Sequence, residues 1–221
     1  MLPIGDDNSS RRTVPYVTYG LIAANILIFV LELFSGDAFI EKWAFIPVRF
    51  LANPFAASLT LFTSMFMHAG WAHLLGNMLY LWIFGDNVED RFGHIKFLIF
   101  YLICGLAATF GQLIFNTGSS IPNLGASGAI AGVLGAYIVL FPQGKINVMQ
   151  GQRAIQVPAL IVIGFWFVLQ FFSGIGSLAN TADTGGVAYM AHIGGFLAGI
   201  LLTFLFRGSD KSKVTNKIAG N

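Results

Sequence analysis

Long apolar stretches, separated by clusters of glycine, proline and charge, set the plan of this chain. A helix rises ~1.5 Å per residue and a bilayer's hydrocarbon core is ~30 Å thick, so about 20 mostly apolar residues make one crossing. Six stretches qualify or nearly do: residues 17 to 34, a stretch ending near Gly85, and residues 97 to 115, 125 to 141, 157 to 172 and 187 to 206. Turn formers fall between them at Ser35-Gly36-Asp37, Gly85-Asp86-Asn87, 116 to 120, Phe141-Pro142-Gln143-Gly144 and from Ser173-Gly174 onward. Each predicts a break.

Two lengths carry more information. The charge-free run from Leu51 to Gly85 would reach ~50 Å as one helix, too long for a single crossing. A break at Ala69-Gly70 resolves it, leaving residues 35 to 69 as a long outer loop. That loop holds Trp43, Phe45, Phe50 and Phe55 with Pro47 and Pro54, a mixture suited to the membrane interface. Residues 125 to 141 span only ~25 Å if helical and open with glycine, so this helix can begin below the membrane surface.

Composition then excludes a soluble domain: with 56% hydrophobic and 10% charged residues, too little polar surface exists to cover a globule. The formal net charge of +2, with dispersed basic residues, argues against nucleic acid. A single cysteine, Cys104, permits neither a disulfide framework nor a cysteine metal site. No cleavage motif follows the first apolar stretch, which reads as a retained helix. With the N-terminus cytoplasmic, that side collects Arg11, Arg12, Arg91, Lys96, Lys145, Arg153, Arg207, Lys211, Lys213 and Lys217, leaving only Lys42 and Arg49 outside. The expected layout is a cytoplasmic segment over residues 1–16, a membrane domain over 17–206 and a cytoplasmic polar tail over 207–221. Both termini are expected in the cytoplasm, and the membrane is expected to be the cytoplasmic membrane of a prokaryote.

Polar side chains inside membrane helices are costly, so the few present are candidates for function: His68, His73, Asn77, Ser127 and His192, with Glu32 near a helix end. Any one alone reads more simply as packing or hydrogen bonding. His73 and Asn77, four apart, share one face of the second helix near its outer end. His192 enters the last helix from the same side, and Ser127 opens the short fourth helix. Four groups from three helices thus fall at one depth. Gly128 with Gly132, and Gly195 with Gly199, form small-residue faces that would let the fourth and sixth helices approach closely.

Serine needs an adjacent base, here His192, and the oxyanion of an acyl transfer needs donors. The Ser127 backbone N–H with the side chains of His73 and Asn77 would supply them. The only nearby acid, Asp183, precedes His192 by nine residues, ~13 Å along a helix, so a dyad fits better than a triad. The soluble-hydrolase signature G-x-S-x-G is absent, since Ala129 takes its last position.

Three motifs together, His68-x4-His73-x3-Asn77, Gly125-Ala126-Ser127-Gly128 and Ala191-His192-x2-Gly195-x3-Gly199, resemble those of the rhomboid intramembrane serine proteases. The resemblance covers most of the membrane region. It implies an all-α, polytopic bundle of six transmembrane helices with a short central fourth helix and a long interfacial outer loop. It also implies cofactor-free and metal-free hydrolysis of peptide bonds in or next to the transmembrane segments of membrane-protein substrates. Ser127 and His192 would be the catalytic dyad, His73 and Asn77 the oxyanion hole, and His68 an organiser of the loop. Glu89 and Arg91 match a structural loop pair. Leu59-Thr60 stands where a Trp-Arg pair is common, and Ala131 where some members have tyrosine, which bears on specificity. A catalytically dead relative would lack the serine or the histidine, and a transporter would show repeats. Both residues are present and no repeat is found.

Overall fold

The structure, a computed structural model, describes residues 2–9, 11–179 and 188–207. Among the described residues, six helices form the bundle: α1 (Tyr16–Ser35), α2 (Trp71–Phe92), α3 (His94–Phe115), α4 (Ser127–Leu140), α5 (Ala159–Ala179) and α6 (Tyr189–Phe206). Four of them, α1, α3, α5 and α6, are long and apolar enough to cross a membrane. The long loop between α1 and α2 is not irregular but folds into short helical turns over Asp37–Trp43, Pro47–Ala52, Pro54–Ala57, Thr60–Thr63 and Ser64–Phe66. Asp183 and the tail from residue 208 lie outside the described residues.

α4 is the axis of the bundle. Its residues from Gly128 to Tyr137 are all buried, as expected of a helix apolar on every side. At 14 residues it is ~21 Å long, too short to span the hydrocarbon. Glycine lets its neighbours close on it. A Cβ built on Gly195 would lie 2.0 Å from the Gly128 carbonyl oxygen, and one on Gly199 2.1 Å from that of Gly132. Likewise a Cβ on Gly135 would meet the Phe196 carbonyl at 2.4 Å. α3 joins from another side, where a Cβ on Gly128 or Gly132 would strike Ala108 or Cys104, and Gly111 of α3 faces Gly194 of α6.

Two features depart from the sequence expectation. The first is Gly85-Asp86-Asn87, expected as a turn, which lies inside α2; the helix ends only at Gly93, whose φ of 80° breaks it. Glu89 and Arg91 are therefore helical, and they do not pair with each other. Glu89 is fully buried and takes the place of a cap for α1, which has none of its own at Pro15. Its carboxylate accepts the Val17 N–H at 2.9 Å, the Thr18 N–H at 2.7 Å and the Thr18 hydroxyl at 2.6 Å, while His94 Nδ1 lies 2.5 Å away. The two backbone N–H groups are orphan donors of a helix N-terminus. Arg91 instead lies over the Phe141 ring, 5.8 Å from its centre.

The second is a three-stranded antiparallel sheet in an otherwise helical chain. β1 (Leu2–Asp6), β2 (Lys145–Gln150) and β3 (Arg153–Pro158) lie in that order, with β1 pairing β2 from Leu2↔Met149 to Asp6↔Ile146. The sheet packs on the end of α2 and brings the N-terminal segment to the foot of α4. There Asp6 accepts hydrogen bonds from the Asn87 amide at 2.6 Å and the Tyr137 hydroxyl at 2.8 Å, and Arg11 pairs with Asp86 at 2.6 Å. Asp86 and Asn87 thus find partners some 75 to 81 residues away in sequence, which is what lets them stay in a helix.

Burial, with the charge of Asp86 adding to it, pushes the Asp6 carboxyl from its usual 3.8 up to about 6, against the pull of the Tyr137 and Asn87 hydrogen bonds. A raised carboxyl binds its proton more tightly in the folded state. Its stabilising contribution is complete below pH 4 and lost as pH rises to about 6. Asp6→Asn, which mimics the protonated acid, should match wild type in thermal unfolding in detergent near pH 4 and exceed it above pH 6. A constant difference across that range would show that Asp6 does not titrate there.

The glycine contacts make a separate prediction. Gly199→Ala should lower stability by about 1–3 kcal/mol through overpacking against the Gly132 carbonyl. Gly164→Ala, on α5 with nothing within 4 Å of the added Cβ, should be neutral or stabilise by up to ~1 kcal/mol. Thermal unfolding of the two variants side by side measures the contrast.

Candidate active site

Ser127 stands at the first turn of α4, and the chain before it is held from two sides. The Gly125 N–H donates to the Ser64 carbonyl at 2.9 Å, and Asn123 exchanges backbone hydrogen bonds with Phe45 of the outer loop at 2.7 and 3.2 Å. Gly125 itself has φ of 134°, a conformation that favours glycine. A Cβ there would also lie 2.9 Å from the His73 ring. Both constraints select the same residue.

The Ser127 Oγ lies 2.7 Å from His192 Nε2. His192 is the fourth residue of α6 and buried, and it can reach the serine only because the glycine contacts bring α6 against α4. The entry to α6 has no cap of its own; the Gln112 side chain of α3 accepts the Ala191 N–H at 3.3 Å and satisfies one of the free donors of the first turn. Trp166 of α5 flanks the imidazole, ring centres 5.7 Å apart.

The other imidazole nitrogen is engaged too. His192 Nδ1 lies 2.7 Å from Gln170 Oε1 on α5. The sequence reading missed Gln170. Its signal was available, since it is the only amide or charged side chain in α5, and a lone amide in a membrane helix calls for a partner.

A cavity of about 830 Å³ opens beside the serine, lined by His73, Asn77, Ser127, Trp166 and His192 among others. The four residues expected at one depth therefore face one space. Asn77 is buried, and its Nδ2 has no hydrogen-bond partner among the described residues. An unmet buried donor on a cavity wall is unfavourable unless a ligand meets it. His73 Nδ1 accepts the Ala69 N–H at 3.4 Å, which leaves the proton on Nε2, the nitrogen toward Gly125. The Ser127 N–H, at the first position of α4, has no intrahelical acceptor. Three donors thus border the serine.

His68 is not on this wall. It is buried behind His73, with ring centres 5.1 Å apart, and neither of its ring nitrogens has a partner among the described residues. Its backbone N–H donates to the Glu32 carboxylate of α1 at 3.0 Å. Gly128, Gly132, Gly195 and Gly199 lie behind the serine at the α4–α6 contact. Among the described residues no group of three or more His, Cys, Asp or Glu side chains could hold a metal.

Residues 56–209 match the Rhomboid domain. The chain is 33% identical over 193 residues to rhomboid protease GluP of Bacillus subtilis, covering 85% of this chain and 35% of the relative. It is 28% identical over 224 residues to RHOMBOID-like protein 1 of Arabidopsis thaliana, covering 87% and 53%, and 30% identical over 206 residues to the human presenilin-associated rhomboid-like protein, covering 87% and 48%. The chain spans about half or less of the length of these relatives. The apolar helices, the domain match and the relatives together make this chain a multi-pass membrane protein of the rhomboid family.

Proposed function

We propose that the protein is an intramembrane serine endopeptidase that hydrolyses peptide bonds in or next to transmembrane segments of other membrane proteins. The observation that carries this is the 2.7 Å contact between Ser127 Oγ and His192 Nε2 at the wall of a mostly apolar cavity that also presents His73 and Asn77. The protease named among the relatives supports the same reading.

In this scheme Ser127 Oγ attacks the scissile carbonyl carbon while its proton passes to His192 Nε2. The oxyanion forms against the Ser127 N–H, the Asn77 amide and His73 Nε2–H, donors already oriented on the cavity wall. His192 returns the proton to the leaving amine, breaking the C–N bond. Water then enters and attacks the acyl carbon as His192 takes its proton; the C–O bond to Ser127 breaks, His192 returns that proton to Ser127 Oγ, and the acid product leaves. Every proton has a donor and an acceptor among protein groups and water.

α4 supports the location of the chemistry. Because the helix is short and starts with Ser127, the nucleophile sits below the surface, where a substrate helix must locally unwind to present its backbone. The spread of basic residues supports cytoplasmic termini, with the cavity opening toward the opposite side.

Cleavage of a single-pass membrane substrate in liposomes tests the proposal. Ser127→Ala and His192→Ala should each reduce kcat at least ~10³-fold, and Asn77→Ala about 10²- to 10³-fold with a smaller change in KM. A serine-directed phosphonate should label wild type and not Ser127→Ala. Undiminished cleavage by Ser127→Ala would remove the serine mechanism.

A further inference from the structure

We infer that Gln170 is the positioning residue for the base, a third member acting through His192. This rests on the serine-protease reading of the site.

The hydrogen-bond chain admits one productive order. For His192 to accept the serine proton, Nε2 must be bare, so the ring proton sits on Nδ1. That Nδ1–H then needs an acceptor, and Gln170 Oε1 is 2.7 Å away. With the amide reversed, its N–H₂ would donate to Nδ1, Nε2 would carry the proton and donate to Ser127, and the serine could not be activated. With its oxygen toward the ring, as here, the amide favours the productive tautomer and fixes the ring plane, the task an aspartate performs in soluble triads. A neutral amide does so at lower desolvation cost than a carboxylate within a membrane bundle.

The placement of Gln170 is built rather than incidental. Ile163, Phe167, Gln170 and Gly174 recur at helical spacing along one face of α5. Phe167 stacks on Phe196 of α6 with ring centres 4.4 Å apart, and a Cβ on Gly174 would lie 2.8 Å from Met190. Gln170 sits between these two contacts, so the α5–α6 seam sets its height against His192. Trp166, one turn earlier, holds the face of the imidazole. The opposite face of α5, with Phe165, Leu169 and Phe172, is exposed. An amide on that face would meet nothing.

The test compares Gln170→Met with Gln170→Glu. Methionine keeps the volume and removes the acceptor; glutamate keeps an acceptor oxygen and, ionised, cannot donate. Thermal unfolding in detergent reports whether each variant folds, and Gln170→Leu serves as a second variant without an acceptor. Wild type and Ser127→Ala are run beside them.

The expected result is that Gln170→Met lowers kcat and the rate of phosphonate labelling of Ser127 at least ~10-fold with KM within about twofold, whereas Gln170→Glu recovers most of both. If both acceptor-free variants fold and keep wild-type kcat and labelling, or if Gln170→Glu loses as much as Gln170→Met, the inference is overturned while Ser127-dependent cleavage stands. If Ser127→Ala cleaves like wild type, both the protease reading and the role of Gln170 fall.

Discussion

The arrangement depends on one close approach, that of α6 to α4. Side chains of ordinary size hold helix axes 8–10 Å apart, whereas Gly128 with Gly195 and Gly132 with Gly199 bring backbone onto backbone, with carbonyl oxygens about 2 Å from where a Cβ would be. In lipid no hydrophobic force separates tail from helix, so such packing must itself supply the association. The same contacts set the Ser127–His192 distance, because the two residues sit at the entrances of the two helices. Packing and chemistry share a single seam.

Polar groups follow a complementary logic. An unmet donor or acceptor is expensive away from water, and three of this chain's internal groups are met from other elements: Glu89 of α2 caps α1, Gln112 of α3 caps α6, Gln170 of α5 meets His192. Each bond ties two helices in register. Against that background the exceptions stand out. Asn77 Nδ2 is left open on the cavity wall, the donor that the proposed mechanism assigns to the oxyanion.

What could be read from the sequence was what depends on local composition. Apolar length marked the spans and the short α4, and the impossibly long run from Leu51 placed the start of α2 beside Gly70. Polarity against an apolar background marked Ser127, His192, His73 and Asn77, which the structure gathers around one cavity. What could not be read depends on partners distant in sequence. Gly85-Asp86-Asn87 has the composition of a turn and stays helical because Arg11 and Asp6 return to it. The strand Leu2–Asp6 contains proline and glycine, and pairs with residues some 140 positions later. Gln170 was legible by the same criterion as Asn77, yet its partner lies 22 residues on, across a connection that no helical periodicity bridges.

These distant contacts divide the bundle into two ends with different tasks. At the sheet end, Asp6, Arg11, Asp86, Asn87 and Glu89 form hydrogen-bonded and paired contacts that fasten α1, α2 and the foot of α4. At the loop end, Asn77 Nδ2, both His68 ring nitrogens and Glu32 Oε1 are unmet among the described residues, and the backbone there is held by outer-loop contacts through Phe45, Ser64 and Asn123. Stability gathered at one end permits an open, partly unsatisfied cavity at the other, which on the proposed protease reading is what receives the peptide bond. α4 connects the two, with Tyr137 bonded to Asp6 near its C-terminus and Ser127 at its N-terminus. A rigid, glycine-packed rod of ~21 Å is therefore what keeps the serine at a fixed depth relative to the fastened end.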